Sequence, residues 1–243
     1  MAGARPPGCQ TARRVARWGR RRRCIEIGRR YSTRRASQGE MLGWGNSEAV
    51  VRETLMSEII TYDARAMNDD QLRLVATLLC EIWPKPGRTV ETRIARMKQL
   101  AHAYAGPEHT APRSYLIFDG SRLLAHAALV CRHIVTASGK QTVAGLAQVC
   151  TDPEARGQGL GERIVRAAFA PVDAGDFSLA LFQTTEQVQP FYERLGARRV
   201  SNRFVNSTGD DPEADAFWEN VQMIYPGDAP WPAGVVDLQG PGY

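Results

Sequence analysis

The sequence predicts an α+β protein whose mixed, mostly antiparallel central sheet is flanked by helices. The order of elements carries that prediction. Two helical segments come first, then three strand-like segments joined by short polar turns, then a strand–helix–strand–helix unit. Short turns join antiparallel neighbours, so the middle three strands form a meander.

Each element has its own signal. Residues 58–62 form a short apolar segment that reads as a first strand. Asn68 or Asp69 then caps a helix with Leu72, Leu74, Val75, Leu78 and Leu79 on one face. Trp83-Pro84-Lys85-Pro86-Gly87 stops it. A second helix begins near Thr89 and repeats Ile94, Met97, Leu100, Ala101 and Tyr104 at helical spacing. Strand 114–118 ends at Asp119-Gly120, a hairpin signal. Strand 123–135 is long, apolar and alanine-rich, and Ser138-Gly139-Lys140 turns the chain into strand 142–151. A helix over 161–170, a buried strand over 177–182 and a helix over 186–195 ended by Gly196 follow. Segments 199–206 and 220–225 read as the last strands. The tail from 226 to 243 is dense in Pro and Gly and reads as an extended segment.

Composition narrows the class. With 243 residues the chain is one large domain or one domain with an appendage. An apolar fraction of 43% excludes wholesale disorder, and no run of about 18 apolar residues exists to cross a membrane. Five scattered cysteines without a C-x-x-C pair indicate neither a zinc knuckle nor a disulfide framework, so no metal is expected and a reducing, cytoplasmic setting fits. The basic charge is confined to one end. Residues 1–40 hold twelve arginines against two glutamates, whereas residues 56–243 hold 18 basic against 22 acidic side chains. No nucleic-acid partner is therefore expected from the core. Residues 1–55 read as a disordered arginine-rich extension. A polybasic arm, an organelle transit peptide and a start site placed too far upstream all compete for it, and the last is favoured because Met56 opens directly into globular sequence. The domain then spans 56–243.

The informative stretch runs Val149-Cys150-Thr151-Asp152-Pro153-Glu154-Ala155-Arg156-Gly157-Gln158-Gly159-Leu160-Gly161. A strand ends, Pro153 forbids further ladder pairing, and a glycine-rich turn opens into a helix. Successive N–H groups at a helix N-terminus suit phosphate oxygens. Gly157, Gly159 and Gly161 keep side chains out of the ligand's way, and Arg156 supplies a phosphate-pairing charge. The spacing fits neither a dinucleotide fold, which requires G-x-G-x-x-G after the first strand, nor a P-loop, which requires a following lysine.

Arg156-Gly157-Gln158-Gly159-Leu160-Gly161 resembles the Q/R-x-x-G-x-G/A motif of the GNAT superfamily of acetyl-coenzyme A-dependent N-acyltransferases. Pro190-Phe191-Tyr192-Glu193-Arg194-Leu195-Gly196-Ala197 resembles that family's late F-Y-E-x-x-G-F helix, with Ala197 in place of the common aromatic. The resemblance covers about residues 58–225 and implies the GNAT fold. It also implies that backbone groups of Val149, Cys150 and Thr151 pair with the pantetheine arm of acetyl-coenzyme A. Arg156 and the turn from Gly157 through Gln158, Gly159, Leu160 and Gly161 to Glu162 would hold the pyrophosphate, and Tyr192 would protonate the departing thiolate. Thr185 stands where many relatives carry a cofactor-contacting Asn. Leu124-Ala125-His126-Ala127-Ala128, with Arg132 following, resembles the central strand of aminoglycoside 2′-N-acetyltransferases, but Ala147 replaces a strand glutamate of that group.

The implied activity is acetyl transfer from acetyl-coenzyme A to a primary amine, by direct attack in a ternary complex. The acceptor is expected to be a small molecule, and a homodimer is among the open oligomeric states. The rivals are a protein N-terminal or lysine acetyltransferase and a non-catalytic acetyl-coenzyme A-binding module. Among the remaining residues, His126 shares a strand face with Leu124 and Ala128 and reads as a core histidine rather than a base. Asp152 and Glu154 read as turn residues, and Cys150 as an ordinary buried cysteine. Gln148 offers hydrogen bonds but cannot take a proton. Trp218, Tyr225, Trp231 and Tyr243 either wall the acceptor pocket or cover a sheet edge.

Overall fold

The computed structural model describes residues 58–243, and the arginine-rich extension lies outside the described residues. Strand β1 (Ile59–Asp63) leads to α1 (Asp69–Ile82), which Asn68 starts through a reciprocal capping box with Gln71. Helix α2 (Val90–His102) starts at Thr89, whose side chain accepts from the Thr92 N–H. The long strands β2 (Arg113–Asp119), β3 (Arg122–Thr136) and β4 (Gly139–Thr151) form the expected antiparallel meander, with β1 added antiparallel at its edge. Helix α3 (Leu160–Asp173) follows, then β5 (Ala180–Thr184), α4 (Gln189–Arg194), β6 (Arg198–Val200), β7 (Arg203–Val205), β8 (Val221–Tyr225) and β9 (Val235–Asp237).

The sheet order is β1-β2-β3-β4-β5-β8-β6, and β9 pairs with β3 and β7. It is mostly antiparallel, but β4 and β5 run parallel and meet over only two pairs, Ala144 with Ala180 and Gly145 with Leu181. Beyond them the strands part. The edge of β4 from 146 to 151 and that of β5 from 182 to 184 face each other without a ladder between them.

Three buried clusters hold the layers. Helix α3 packs Leu160, Ile164, Ala168 and Phe169 against Ala127, Leu129 and Leu146 on one face of the sheet. Helix α1 packs Leu72, Val75 and Leu79 against Leu116 and Cys150 on the other. The tail covers the remainder through Val236 and Leu238, over Ile134, Leu181 and Phe204.

Four expectations need correction. The segment expected as one strand over 199–206 is broken into β6 and β7, because Asn202 leaves the ladder to bond the tail at the Pro232 and Gly234 carbonyls. The tail is not merely extended, since it contributes β9. Helix α4 is shorter than expected, because Pro190 sits in its first turn and residues 185–188 form the approach. Helix α3 runs past Ala170 to Asp173, because Pro171 and Val172 are buried there and that packing offsets the helix bond that Pro171 cannot donate.

Candidate active site

The chain leaves β4 at Thr151 and passes through a short 3-10 turn, Pro153–Ala155, before α3. Asp152 builds that turn. Its buried carboxylate accepts from the Glu154 N–H at 2.9 Å and from Arg122 Nε at 2.9 Å, while Arg122 also reaches Glu154 at 2.6 Å. Both acids are therefore committed to the turn. Gly157 (φ +80°) and Gly159 (φ +74°) are left-handed, a conformation that side chains make costly. A Cβ on either would meet nothing within 4 Å, so the space over the turn is open.

Gly159 is the N-cap of α3 and lends no side chain to the first-turn amides. Those N–H groups, beginning with Leu160, have no acceptor within their own helix, and the helix dipole adds positive potential there. Arg156 and Gln158 are exposed beside them, and Glu162 pairs with Arg166 at 2.9 Å. A Cβ on Gly161 would touch Thr151 Oγ1 at 3.6 Å and the Phe191 ring at 3.8 Å. The end of β4, the start of α3 and helix α4 therefore meet at Gly161.

Upstream of the turn, β4 carries an irregularity that sequence reasoning missed. His126 pairs with Cys150 and Ala128 with Ala147, so Gln148 and Val149 together face the single residue Ala127. This is a β-bulge, and Gln148 takes φ +55° within it. His126 is completely buried, with Nδ1 3.2 Å from the Gln148 carbonyl oxygen and Nε2 3.4 Å from Ser114 Oγ. A carbonyl only accepts, so Nδ1 carries the proton and Nε2 accepts from the Ser114 hydroxyl. Burial pushes the His126 imidazole down to about 4. It is a neutral core histidine, not a base.

Tyr192 projects from α4 into the α3-side cluster and is 6% exposed, its ring 4.7 Å from Phe182 and 5.0 Å from Phe191. Burial holds its phenol well above the usual range, with a smaller contribution from the Cys150 thiol. Cys150 lies beneath α1, and burial pushes its thiol up to about 12. A thiolate nucleophile is not available there at neutral pH. Val149 and Thr151 are half-buried on the open edge of β4, and Thr185 is exposed, its carbonyl accepting from Val188 and Gln189 at the start of α4.

The geometry thus joins a parted strand pair, an unblocked glycine turn and a buried tyrosine. Residues 63–200, more than half of the chain, match the family model described as an acetyltransferase (GNAT) domain. The chain belongs to the GNAT acetyltransferase family. Among curated proteins none matches this GNAT chain. Among solved structures it is similar to an acyl-CoA N-acyltransferase from Pseudomonas aeruginosa, at 16% identity over 69% of this chain and 98% of that one, with a TM-score of 0.46. It is also similar to Escherichia coli ElaA (15% identity, 70% of this chain, 99% of that one, TM-score 0.46). A third is glucosamine-6-phosphate N-acetyltransferase from Arabidopsis thaliana (14% identity, 59% of this chain, 92% of that one, TM-score 0.46).

Further polar and aromatic residues of the GNAT domain each have a setting of their own. His133 is exposed and bonded through Nδ1 to Thr142 Oγ1 at 3.0 Å, in a cleft of about 530 Å³ that opens at the hairpin end of β3 and β4. Tyr225 stacks on Phe169 at 3.8 Å, Trp231 bonds Asn202, and Trp218 is 56% exposed with Lys85 over its ring. Arg122 was the other omission. An arginine opening a strand gives no signal of a partner 30 residues away, whereas the flanking acids did mark the turn. Among the described residues, no helix is long and apolar enough to cross a membrane and no His/Cys/Asp/Glu group is arranged to hold a metal.

Proposed function

We propose that this GNAT protein moves an acetyl group from acetyl-coenzyme A to a primary amine of a small molecule, by direct attack in a ternary complex. The observation that carries the reading is the parting of β4 from β5 immediately before an open, positively polarised glycine turn. The pyrophosphate would lie over Gly157, Gln158 and Gly159 against the amides from Leu160 to Glu162, with Arg156 pairing a phosphate oxygen. The pantetheine arm would run along Thr151, Cys150 and Val149 as an added strand, with Thr185 across the opening. That edge of β4 has no β5 ladder to displace.

Chemistry at the thioester needs three things: orientation of two reactants, a donor to the carbonyl oxygen and a proton for sulfur. A backbone amide of β4 would polarise the carbonyl. Tyr192 would serve the thiolate. A phenol raised above about 10 is a weaker acid than a thiol near 8.5, so Tyr192 stabilises the developing thiolate by donating a hydrogen bond, and its proton is always present to donate. Ala147 supplies no carboxylate and His126 is sealed, so water takes the proton from the attacking amine and returns one to the coenzyme A sulfur. The aminoglycoside-like strand motif favours a small-molecule acceptor over a peptide, as does the tail folded over the sheet near Gly145. The free thiols of Cys80, Cys131 and Cys150 suit a cytoplasmic setting.

The test is thermal unfolding of the full chain with and without acetyl-coenzyme A. At about 100 times its dissociation constant the donor adds roughly 2.7 kcal/mol to the folded state. A clear upward shift that Gly159→Glu abolishes is expected, followed by thiol release on adding an accepted amine. A cooperative melt that acetyl-coenzyme A does not move would reject the donor site.

A further inference from the structure

We propose that His126 is a positioning residue for the thioester: its Nδ1–H fixes the Gln148 carbonyl within the β4 bulge and so aims the Val149 amide at the acetyl carbonyl oxygen. The inference rests on the donor-site reading above and names a residue that reading leaves as core.

The geometry leads there in steps. The peptide between Gln148 and Val149 is trans and planar, so its C=O and N–H point in opposite directions. Whatever fixes the carbonyl therefore fixes the amide on the other side. The carbonyl is turned toward the imidazole at 3.2 Å, on the face occupied by α1, where Cys150 also points. Val149 packs toward the α3 cluster, on the side where Tyr192 lies. The Val149 N–H is thus directed away from His126, on the stretch of β4 that has already left β5.

A positive φ at glutamine is not self-sustaining. Outside glycine and asparagine-like residues it persists only where surroundings impose it. His126 is the group that imposes it, and its own ring is held from behind by Ser114. Burying an imidazole completely is costly unless both nitrogens are bonded, and here the two partners are a bulge carbonyl and one hydroxyl. A purely packing role at this position would be met by leucine. The hydrogen bond is what leucine cannot supply.

The experiment compares His126→Leu, His126→Asn and His126→Gln in the full chain. Asn places a donor near the Nδ1 position, and Gln places one near Nε2. The readouts are the melting shift with coenzyme A, which reports the pyrophosphate site, and the infrared carbonyl stretch of bound [1-13C]acetyl-coenzyme A, which reports polarisation directly and needs no acceptor. Bound to the wild type, the stretch is expected below its value in water. His126→Leu and His126→Gln should return it toward the solution value, while coenzyme A still raises the melting temperature. With an accepted amine, their kcat should fall about 100-fold, the scale of losing one oxyanion donor, with KM for acetyl-coenzyme A within about threefold. His126→Asn should restore the lowered stretch and most of kcat. Equal losses in Asn, Gln and Leu, or a Leu variant with the wild-type stretch, would overturn the assignment. Should the Leu variant not fold, the contrast between Asn and Gln decides. A wild type whose melt ignores acetyl-coenzyme A removes the donor site itself, and this inference with it.

Discussion

At the scale of single residues, burial moves the protons of two rings in opposite directions. Tyr192 keeps its proton throughout the working range, since burial moves its ionisation upward. Tyr192→Phe should therefore lower kcat by about 100-fold while leaving the coenzyme A melting shift intact, and the wild-type pH profile should show no Tyr192-dependent fall below pH 10. His126 is depressed instead, so its contribution to stability has the opposite sense. In the unfolded chain it takes up a proton near pH 6.5, but in the folded protein only near pH 4. As the pH falls between those values, protons favour the unfolded state. Relative to His126→Asn, the wild type should lose about 2 kcal/mol between pH 7 and pH 4.5, measured by urea unfolding at each pH. The Cys150 thiol that pairs across the strand from His126 stays protonated over that window and adds nothing to it. The helix that carries Tyr192 was legible from its motif, and the burial of His126 from the apolar strand around it. The φ of Gln148 was not, because nothing in the residue announces it. It belongs to a bulge whose carbonyl meets a histidine 22 positions earlier.

Elements were legible where local chemistry sets their ends. Asn68, one of the two caps that the sequence offers, starts α1, Thr89 starts α2, and Gly196 (φ +92°) ends α4. Boundaries failed where a distant side chain decides. The segment 199–206 reads as one strand, yet Asn202 donates to the Pro232 and Gly234 carbonyls at 2.9 and 2.8 Å and accepts the Trp231 indole N–H at 2.6 Å. Those bonds break the strand and bring β9 beside β7 and β3. The ladder of β9 is short, so much of its order depends on that one side chain. Asn202→Ala should cost about 2 kcal/mol by urea unfolding, since two carbonyls and an indole lose their partner in part-buried surroundings. Amide exchange should quicken at Val235–Asp237 and stay unchanged in β2. A variant that loses protection equally in both strands would show that the tail and the meander open as one unit.

Across the described domain, the open seam sets the mechanical problem. The meander and the β5-β8-β6 group share two register pairs, Ala144 with Ala180 and Gly145 with Leu181, so their relative position needs a further tie. The tail supplies one. The Tyr243 hydroxyl donates to the Leu181 carbonyl at 2.9 Å, and Gln183 Nε2 donates to the Tyr243 carbonyl at 2.9 Å, both on the β5 side. On the meander side, Arg132 donates to Pro241 at 2.9 Å and lies 5.0 Å from the Tyr243 ring centroid. The ring rests over Gly145, where a Cβ would come within 2.7 Å of Tyr243 Cε2 and 2.8 Å of Val130 Cγ2. Gly145 is thus glycine to admit the ring, not for its backbone angles. Gly145→Ala should destabilise by about 1–3 kcal/mol through overpacking, and Tyr243→Ala by about 2 kcal/mol for a half-buried aromatic. The double variant should cost about 1 kcal/mol less than the two single losses together, because removing the ring relieves the clash that the new methyl creates. Additive losses in urea unfolding would instead place the clash on Val130 and leave Tyr243 as a passive cover. Coupling of the expected sign makes the closing tail residue part of what holds the seam, at the point where its two strands begin to part.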